Sequence, residues 1–495
     1  MFQQTFPIPD WGLLFQQGLP WFLPMFAGFF LIIVPFFWKS RAHAGSFLVA
    51  FMTVLVSLFL SGSLWLKAQG HEIGFFMFDR LTYFFMIFFL LSALLTILLS
   101  YPYLRKLRLF QPEFYALILF SVFGMGCMVA GSDLMMVFLG LEVMSISLYV
   151  LTGFWRTRQV CVEAALKYFL LGAFASGFLL LGIAFLYGAA GTTHLIKIYE
   201  QGFSLFQGPY ALYVYLAWVF LAIGFAFKIA LVPFHFWAPD VYEGAPIVVT
   251  AFMSTAVKAA AFGALLRVAW AFYQWDSETW ASMIWVGSVI TMSVANIAAL
   301  VQSDLKRMLA YSSIAHAGYI LIPFVAFGWQ GIHVSSSVSF YLMAYILTTM
   351  GAFAVISALT GENQERSDIR FLSGMGKTQP FLGFTMTFFM LSLAGIPPTV
   401  GFFGKYYLFN QAIQAGFVWL VVIAVLNSVI SVYYYLRPVM VMYFGSEKEE
   451  GLPPFPVSRA VLAVVVLCLL GVICFGLFPN SLLQLVQETK TATFH

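Results

Sequence analysis

Four ionisable side chains fall near the middle of long apolar stretches: Glu142, Lys228, Lys258 and Lys405. A charge at bilayer mid-depth costs roughly 2.5–3.5 kcal/mol on insertion scales, so such residues persist mainly where they carry a function. Both signs occur in one chain, which points to a relay that moves charge across a membrane. The chemistry such a relay uses is general. Desolvation draws a lysine toward its neutral form, and a facing carboxylate favours the charged form again.

The surroundings of each residue differ. Glu142 lies in Leu139-Gly-Leu-Glu-Val-Met-Ser-Ile-Ser-Leu148, where Gly140, Ser145 and Ser147 allow close helix approach or water. It reads either as half of a working charge pair or as a structural ion pair. Lys228 precedes Pro233 near the end of an interrupted helix, whose freed carbonyls and C-terminal dipole favour a cation. It either carries protons or only satisfies those carbonyls. Lys258 sits among small residues in Ser254-Thr-Ala-Val-Lys-Ala-Ala-Ala261, and its central position disfavours snorkelling to an interface. Lys405 follows the Pro397-Pro398 pair and Gly404, as a relay residue or an interfacial anchor. Lys167 lies one helical turn after Glu163, so intrahelical pairing and a secondary relay role both fit. His316, in Tyr311-Ser-Ser-Ile-Ala-His-Ala-Gly318, titrates near neutrality and could link lysines, or it is a hydrogen-bonded core histidine. His235 is a weaker candidate.

The elements that position these residues are membrane helices. The 495 residues are 62% hydrophobic and 9% charged, with a mean hydropathy of +0.93. Such a composition excludes a soluble domain and predicts an all-α polytopic membrane protein. Spanning-length apolar runs predict about 14 transmembrane helices. Their limits are 19–38, 46–66, 78–100, 112–130, 132–154, 161–190, 210–238, 247–273, 280–301, 308–327, 335–360, 380–411, 414–443 and 457–479. The first span lacks the basic n-region of a cleaved signal and is expected to be retained.

Basic residues cluster after odd-numbered spans: Lys39 and Arg41; Arg105, Lys106 and Arg108; Arg156 and Arg158; Lys306 and Arg307; Arg366, Arg370 and Lys377; Lys448 and Arg459. The positive-inside rule makes these loops cytoplasmic and puts both termini on the outer, periplasmic side. Spans seven and twelve carry proline at membrane depth (Pro233 and Pro239; Pro397 and Pro398) and should break there. Paired broken helices suggest two inverted five-helix repeats. The expected organisation is 1–110 for helices one to three, 111–275 and 276–445 for the repeats, and 446–495 for helix fourteen and a tail.

Other chemistries find no support in the sequence. The net charge of +4 lies largely in loops and gives no sign of nucleic acid. Cys127, Cys161, Cys468 and Cys474 form no C-x-x-C pair, so neither a disulfide framework nor a metal site is expected. There is no dinucleotide turn, no P-loop and no iron–sulfur pattern. No cofactor or metal is expected in this chain.

Several long motifs resemble the antiporter-like membrane subunits of bacterial NADH–quinone oxidoreductase (complex I). They are Gly140-Leu-Glu-Val-Met-Ser-Ile-Ser-Leu-Tyr-Val-Leu-Thr-Gly-Phe154, Phe227–Pro246, Lys306–His316, and Leu391–Pro398 with Gly404-Lys405. The likeness covers residues 80 to 440. Asp240-Val-Tyr-Glu-Gly-Ala-Pro246 and a lysine at 405 look like the subunit N branch rather than the M, L or Mrp antiporter branches. Ala238 departs from the threonine of many relatives. The resemblance implies proton translocation in the inner membrane. Glu142 and Lys228 would be a charged pair, Lys258 the central relay, Lys405 the second half-channel residue, and Lys167 part of the charged axis. It also implies that NADH, FMN, iron–sulfur clusters and quinone are handled by partner subunits, with subunit M and small membrane subunits as neighbours. An Mrp-type Na⁺/H⁺ antiporter subunit and a passive scaffold are the other classes considered.

Overall fold

The computed structural model describes residues 10–37, 42–202, 204–272, 277–361, 365–445 and 457–488. The basic residues Lys39, Arg41 and Lys448, used above for topology, lie outside them. The helices are α1 (Trp11–Phe37), α2 (Ala42–Lys67), α3 (Arg80–Lys106), α4 (Glu113–Ala130), α5 (Leu134–Thr152), α6 (Gln159–Ala190), α7 (Leu195–Gln201) and α8 (Ser204–Gln207). They continue with α9 (Ala211–Lys228), α10 (Trp237–Gly244), α11 (Ile247–Phe252), α12 (Lys258–Phe272), α13 (Ser277–Leu300), α14 (Leu305–Leu321) and α15 (Phe327–Ala358). The last are α16 (Met375–Thr378), α17 (Pro380–Ala394), α18 (Val400–Gln414), α19 (Val418–Phe444), α20 (Arg459–Leu477) and α21 (Pro479–Gln487). Among the described residues, 13 helical segments are long and apolar enough to cross a membrane, and α17 is a shorter apolar helix.

The segments Ile247–Phe272, Leu305–Ala326 and Val334–Ala358 are buried almost throughout and form the centre of the bundle. Helices α1, α2, α6, α13, α19 and α20 present apolar faces outward. That inverted pattern is what a lipid solvent allows.

Both expected interruptions are present. Helix α9 stops at Lys228; Ala230 then takes a left-handed conformation (φ 59), and Val232-Pro233 is cis. Pro239 differs from the expectation of a break. It occupies the first turn of α10, where a missing N–H costs nothing because first-turn amides have no intrahelical partner. Helix α17 ends in left-handed Gly395 (φ 84), the cis Pro397-Pro398 bond follows, and α18 restarts at Val400. A third irregularity had no sequence signal: a π-helical turn, Met253–Val257, joins α11 to α12 immediately before Lys258.

Two loop junctions share one architecture. Asp133 caps α5 through Met135 N (2.8 Å) and accepts from Thr193 Oγ1 (2.7 Å). Its neighbours close a two-way backbone bridge, Leu134 N to Thr193 O and Leu195 N to Ser132 O. Asp304 likewise caps α14 through Arg307 N (2.9 Å) and accepts from Ser367 Oγ. There Leu305 N donates to Ser367 O and Ile369 N to Ser303 O.

One non-helical element was not anticipated. Strands β1 (His71–Ile73) and β2 (Phe76–Phe78) form an antiparallel hairpin between α2 and α3. Glu72 ties it down, accepting from Ser132 Oγ (2.7 Å) and meeting His194 Nε2 (2.5 Å). Burial alone would raise the pKa of Glu72, but the hydrogen bonds to His194 and Ser132 outweigh it and hold the carboxyl below its ordinary range. A depressed carboxylate stabilises above its ordinary pKa, and the stabilisation disappears as pH falls through the lowered value. Glu72→Gln should therefore raise hydrogen exchange of the 71–78 amides roughly tenfold at pH 7, as expected for losing a charged hydrogen bond of about 1.5 kcal/mol. Wild-type protection of the same amides should fall to the mutant level only as pH drops through the lowered Glu72 value, beneath the ordinary carboxylate range. Equal exchange in both proteins at pH 7 would exclude this tie.

Candidate functional site

The ionisable residues of the centre come from five helices, and the lysines among them are held by serine hydroxyls and main-chain carbonyls. Lys228, the last residue of α9, is buried and donates to Ser145 Oγ on α5 (2.7 Å). Its ammonium also lies over the Tyr168 ring, 5.6 Å from the centroid. Glu142 is half-buried, and its Oε1 has no hydrogen-bond partner among the described residues. The expected Glu142–Lys228 ion pair is therefore not closed among them. Glu142 and Ser145 are three apart on one face of α5, so the serine takes the lysine while the carboxylate stays one turn away. Gly140 lets α5 approach α4 at backbone distance: a Cβ there would meet Met128 N at 2.5 Å.

From Lys228 an aromatic line runs inward. Tyr168 stacks on Trp237 (4.6 Å, 7°), whose indole N–H donates to the Phe227 carbonyl at the break (3.0 Å), a carbonyl that Ala230 N also meets (3.1 Å). Trp237 meets Tyr242 edge-on (6.3 Å), and the Tyr242 hydroxyl lies beside Ser313. Ser313 on α14 receives the buried Lys258 ammonium, through both its carbonyl and its Oγ (2.6 Å to the latter). Lys258 also lies 5.5 Å from the Tyr345 ring centroid.

His316, one turn beyond Ser312 and Ser313, is buried beside Tyr345 (ring centroids 5.1 Å apart). Each ring nitrogen meets a tyrosine hydroxyl, Nδ1 with Tyr341 and Nε2 with Tyr435 (2.9 Å). Tyr435 also hydrogen-bonds Ser312. An imidazole with a hydroxyl at each nitrogen can take a proton on one side and release it on the other.

Lys405 closes the line. It donates to the Ala394 carbonyl, freed at the end of α17, and to Ser428 Oγ on α19 (2.8 Å each). Its ammonium lies 5.1 Å from the Tyr319 ring centroid, and Tyr319 neighbours His316 (5.9 Å). Gly395 is required twice over here: its φ is left-handed, and a Cβ would sit 2.9 Å from Lys405 Cδ.

Two sequence candidates stand apart from this line. Lys167 is 42% exposed and pairs with Glu163 and Asp240 (2.8 Å each). Asp240 and Glu243 in turn hold Arg307 (2.8 and 2.7 Å), so the group ties α6, α10 and α14 at their ends. His235 sits in the α9–α10 break beside Phe236.

Comparison with known proteins places the chain in a family. The sequence model described as NADH:quinone oxidoreductase/Mrp antiporter, transmembrane, matches residues 131–431. This chain belongs to that family. The NADH-quinone oxidoreductase subunit N of Trichlorobacter lovleyi is 46% identical over 411 residues, 83% of each chain. A chain of respiratory complex I from Thermus thermophilus superposes with a TM-score of 0.78 at 34% identity, covering 94% of this chain and 98% of that one. A chain of the Mrp complex from Dietzia sp. superposes with a TM-score of 0.84 at 21% identity, covering 96% of both, which shows the shared fold alone.

Within this antiporter-family chain, sequence reasoning missed the tyrosines and serines that hold the lysines. It also missed a buried hub at the α14 N-terminus. Glu365, 1% exposed, accepts from Tyr103 (2.9 Å), the Ile247 amide (2.6 Å), Lys306 (3.2 Å) and Arg158. Lys306 also donates to the Ala245 carbonyl (2.5 Å). One loop carboxylate thus joins α3, the α5–α6 loop, the start of α11 and α14. The Tyr341/Tyr345 and Ser312/Ser313/His316 spacings could have been found as helical faces. Glu365 could not, because nothing local distinguishes it from a solvated loop acid.

Glu365→Ala should leave Arg158 and Lys306 facing each other without their counter-charge. Loss of one member of a buried pair destabilises by about 3–5 kcal/mol. The expected outcome is markedly less assembled protein and a lower thermal-inactivation midpoint in membranes, with Glu365→Gln milder. An unchanged midpoint for Glu365→Ala would remove the hub from the account of stability.

Proposed function

We propose that this chain translocates protons as a membrane subunit of a bacterial NADH–quinone oxidoreductase, through a relay running Glu142, Lys228, Lys258, His316 and Lys405. The observation that carries it is the line of three buried ammonium groups, each on a serine and over a tyrosine ring, with His316 packed beside the two rings that face Lys258 and Lys405. Like charges on this line oppose one another at low dielectric, so a proton held at one lysine disfavours a proton on the next. Approach of Glu142 to Lys228 would hold a proton, and their separation would release it. Lys167, among its carboxylates, would contribute to the charged axis only from the edge.

Electron transfer belongs to partner subunits in this reading, and NADH, FMN, iron–sulfur clusters and quinone act there. The neighbours are other membrane-arm subunits, including an antiporter-like subunit M. The same lysines would serve a cation/proton antiporter of Mrp type, but identity of 46% and 34% to the NADH–quinone proteins against 21% favours the former. The matching Asp133 and Asp304 junctions, each between the start of one helix and a later loop, support two repeats, α4–α12 and α13–α19. The positive-inside pattern supports inversion between them and periplasmic termini.

Two measurements test this. Lys258→Met removes a buried charge and should preserve assembly. It should nevertheless depress proton pumping and coupled NADH–quinone turnover roughly tenfold or more, the scale for losing a proton-transfer group. Lys258→Arg should do no better, since a guanidinium does not release its proton. Wild-type pH-gradient formation by assembled Lys258→Met complex would reject the relay. For orientation, single cysteines placed in the 105–108 and 366–377 loops should react with impermeant reagents only from the cytoplasmic side. Labelling from outside in intact cells would reverse the assignment.

A further inference from the structure

A recess of about 510 Å³ opens between the C-terminal end of α3 and the start of α20, lined by Tyr101, Pro102, Arg105, Lys106, Arg108 and Ser458. It lies where two spans end together, which is headgroup depth, with Tyr101 one turn deeper at the level favoured by interfacial aromatics. Arg105 and Arg108 are exposed, and the exposed Arg459 lies in sequence between the lining residues Ser458 and Ala460. Among the described residues no carboxylate pairs with any of these four cations. Lys106 is anchored on the Thr360 carbonyl (2.9 Å), which fixes one wall. The positive-inside rule accounts for basic residues in this loop but does not require them to line a concavity.

The backbone adds a second observation. Helix α3 closes with Leu109 N donating to Leu104 O, and Arg108 takes the left-handed position of that turn (φ 55). Glycine is usual there, because a Cβ is disfavoured at positive φ. An arginine kept in that conformation has its side chain directed by the turn, and such strain gathers where a side chain is used.

We propose that this recess binds the phosphodiester headgroup of an anionic phospholipid, in the leaflet at that end of the bundle. Calling the leaflet cytoplasmic rests on the orientation proposed above. Arginine forks match phosphate oxygens, and the acyl chains would leave along the apolar flanks of α3 and α20.

The test uses the intact complex in neutral detergent and a short-chain phosphatidylglycerol carrying a photoactivatable acyl group, with peptides mapped by mass spectrometry. Label is expected on 101–112 and 457–461, competed by unlabelled phosphatidylglycerol but not by phosphatidylcholine or inorganic phosphate. Arg105→Gln/Arg108→Gln should assemble normally and weaken labelling roughly 30-fold, since each basic residue near an anionic headgroup contributes about a factor of five. Equal competition by inorganic phosphate would overturn the lipid assignment in favour of a simple anion recess. Equal competition by phosphatidylcholine, unchanged labelling in the variant, or cross-links to an acidic segment of a neighbouring subunit would overturn it as well. Because these readouts are binding and not pumping, the lipid site stands or falls independently of the relay.

Discussion

Removing an ammonium group from water costs several kcal/mol unless hydrogen-bond acceptors replace its hydration shell. Much of the interior of this protein follows from meeting that demand three times without admitting a permanent counter-ion. Lys228, Lys258 and Lys405 each find a serine hydroxyl, and Lys258 and Lys405 add a main-chain carbonyl. Tyrosine faces complete the shells. Oxygen dipoles and ring faces stabilise the charged form without locking it, whereas a closed salt bridge would hold the proton. A carrier needs the first arrangement.

The irregular helices serve this demand. A regular helix keeps its carbonyls for its own ladder, so unshared acceptors at mid-depth come mainly from ends and defects, although Lys258 takes the Ser313 carbonyl within α14. The end of α17 supplies Ala394 O to Lys405, and at the end of α9 Phe227 O takes both Ala230 N and the Trp237 indole. A π-turn also precedes Lys258, and such turns recur at functional sites. At the first break Trp237 packs against Tyr168, and at the second Gly395 takes the left-handed conformation.

At the ends of the bundle the problem is different. Helices that carry defects need their ends held, and charge is affordable there. The Glu365 hub holds the base of α14, which carries Ser313, and the start of α11, which runs through the π-turn into α12 and Lys258. The Lys167–Asp240–Arg307–Glu243 group ties α6, α10 and α14. The Asp133 and Asp304 junctions pin the starts of α5 and α14 to later loops, and the Glu72 hairpin covers the first of them. Rigid ends and adaptable centres suit a chain in which a proton, rather than a helix, moves.

By itself the amino-acid sequence determined the helical membrane class, most span limits to within a few residues, the positions of the charged residues and the two proline breaks. These are local quantities: hydrophobic length, composition and missing backbone donors act over one helix and are legible along one dimension. Which face of a helix meets which neighbour is not local. Twenty-three tyrosines and a run of serines look alike in the sequence, and only packing selected Tyr168, Tyr319, Tyr341, Tyr345 and Tyr435 for the lysine line. Packing also placed Ser145, not Glu142, against Lys228, put Lys167 at the edge, and buried Glu365 although its loop is polar. Pairing across distant segments depends on the order and tilt of helices in three dimensions, which hydropathy, being nearly uniform around each helix, leaves undetermined.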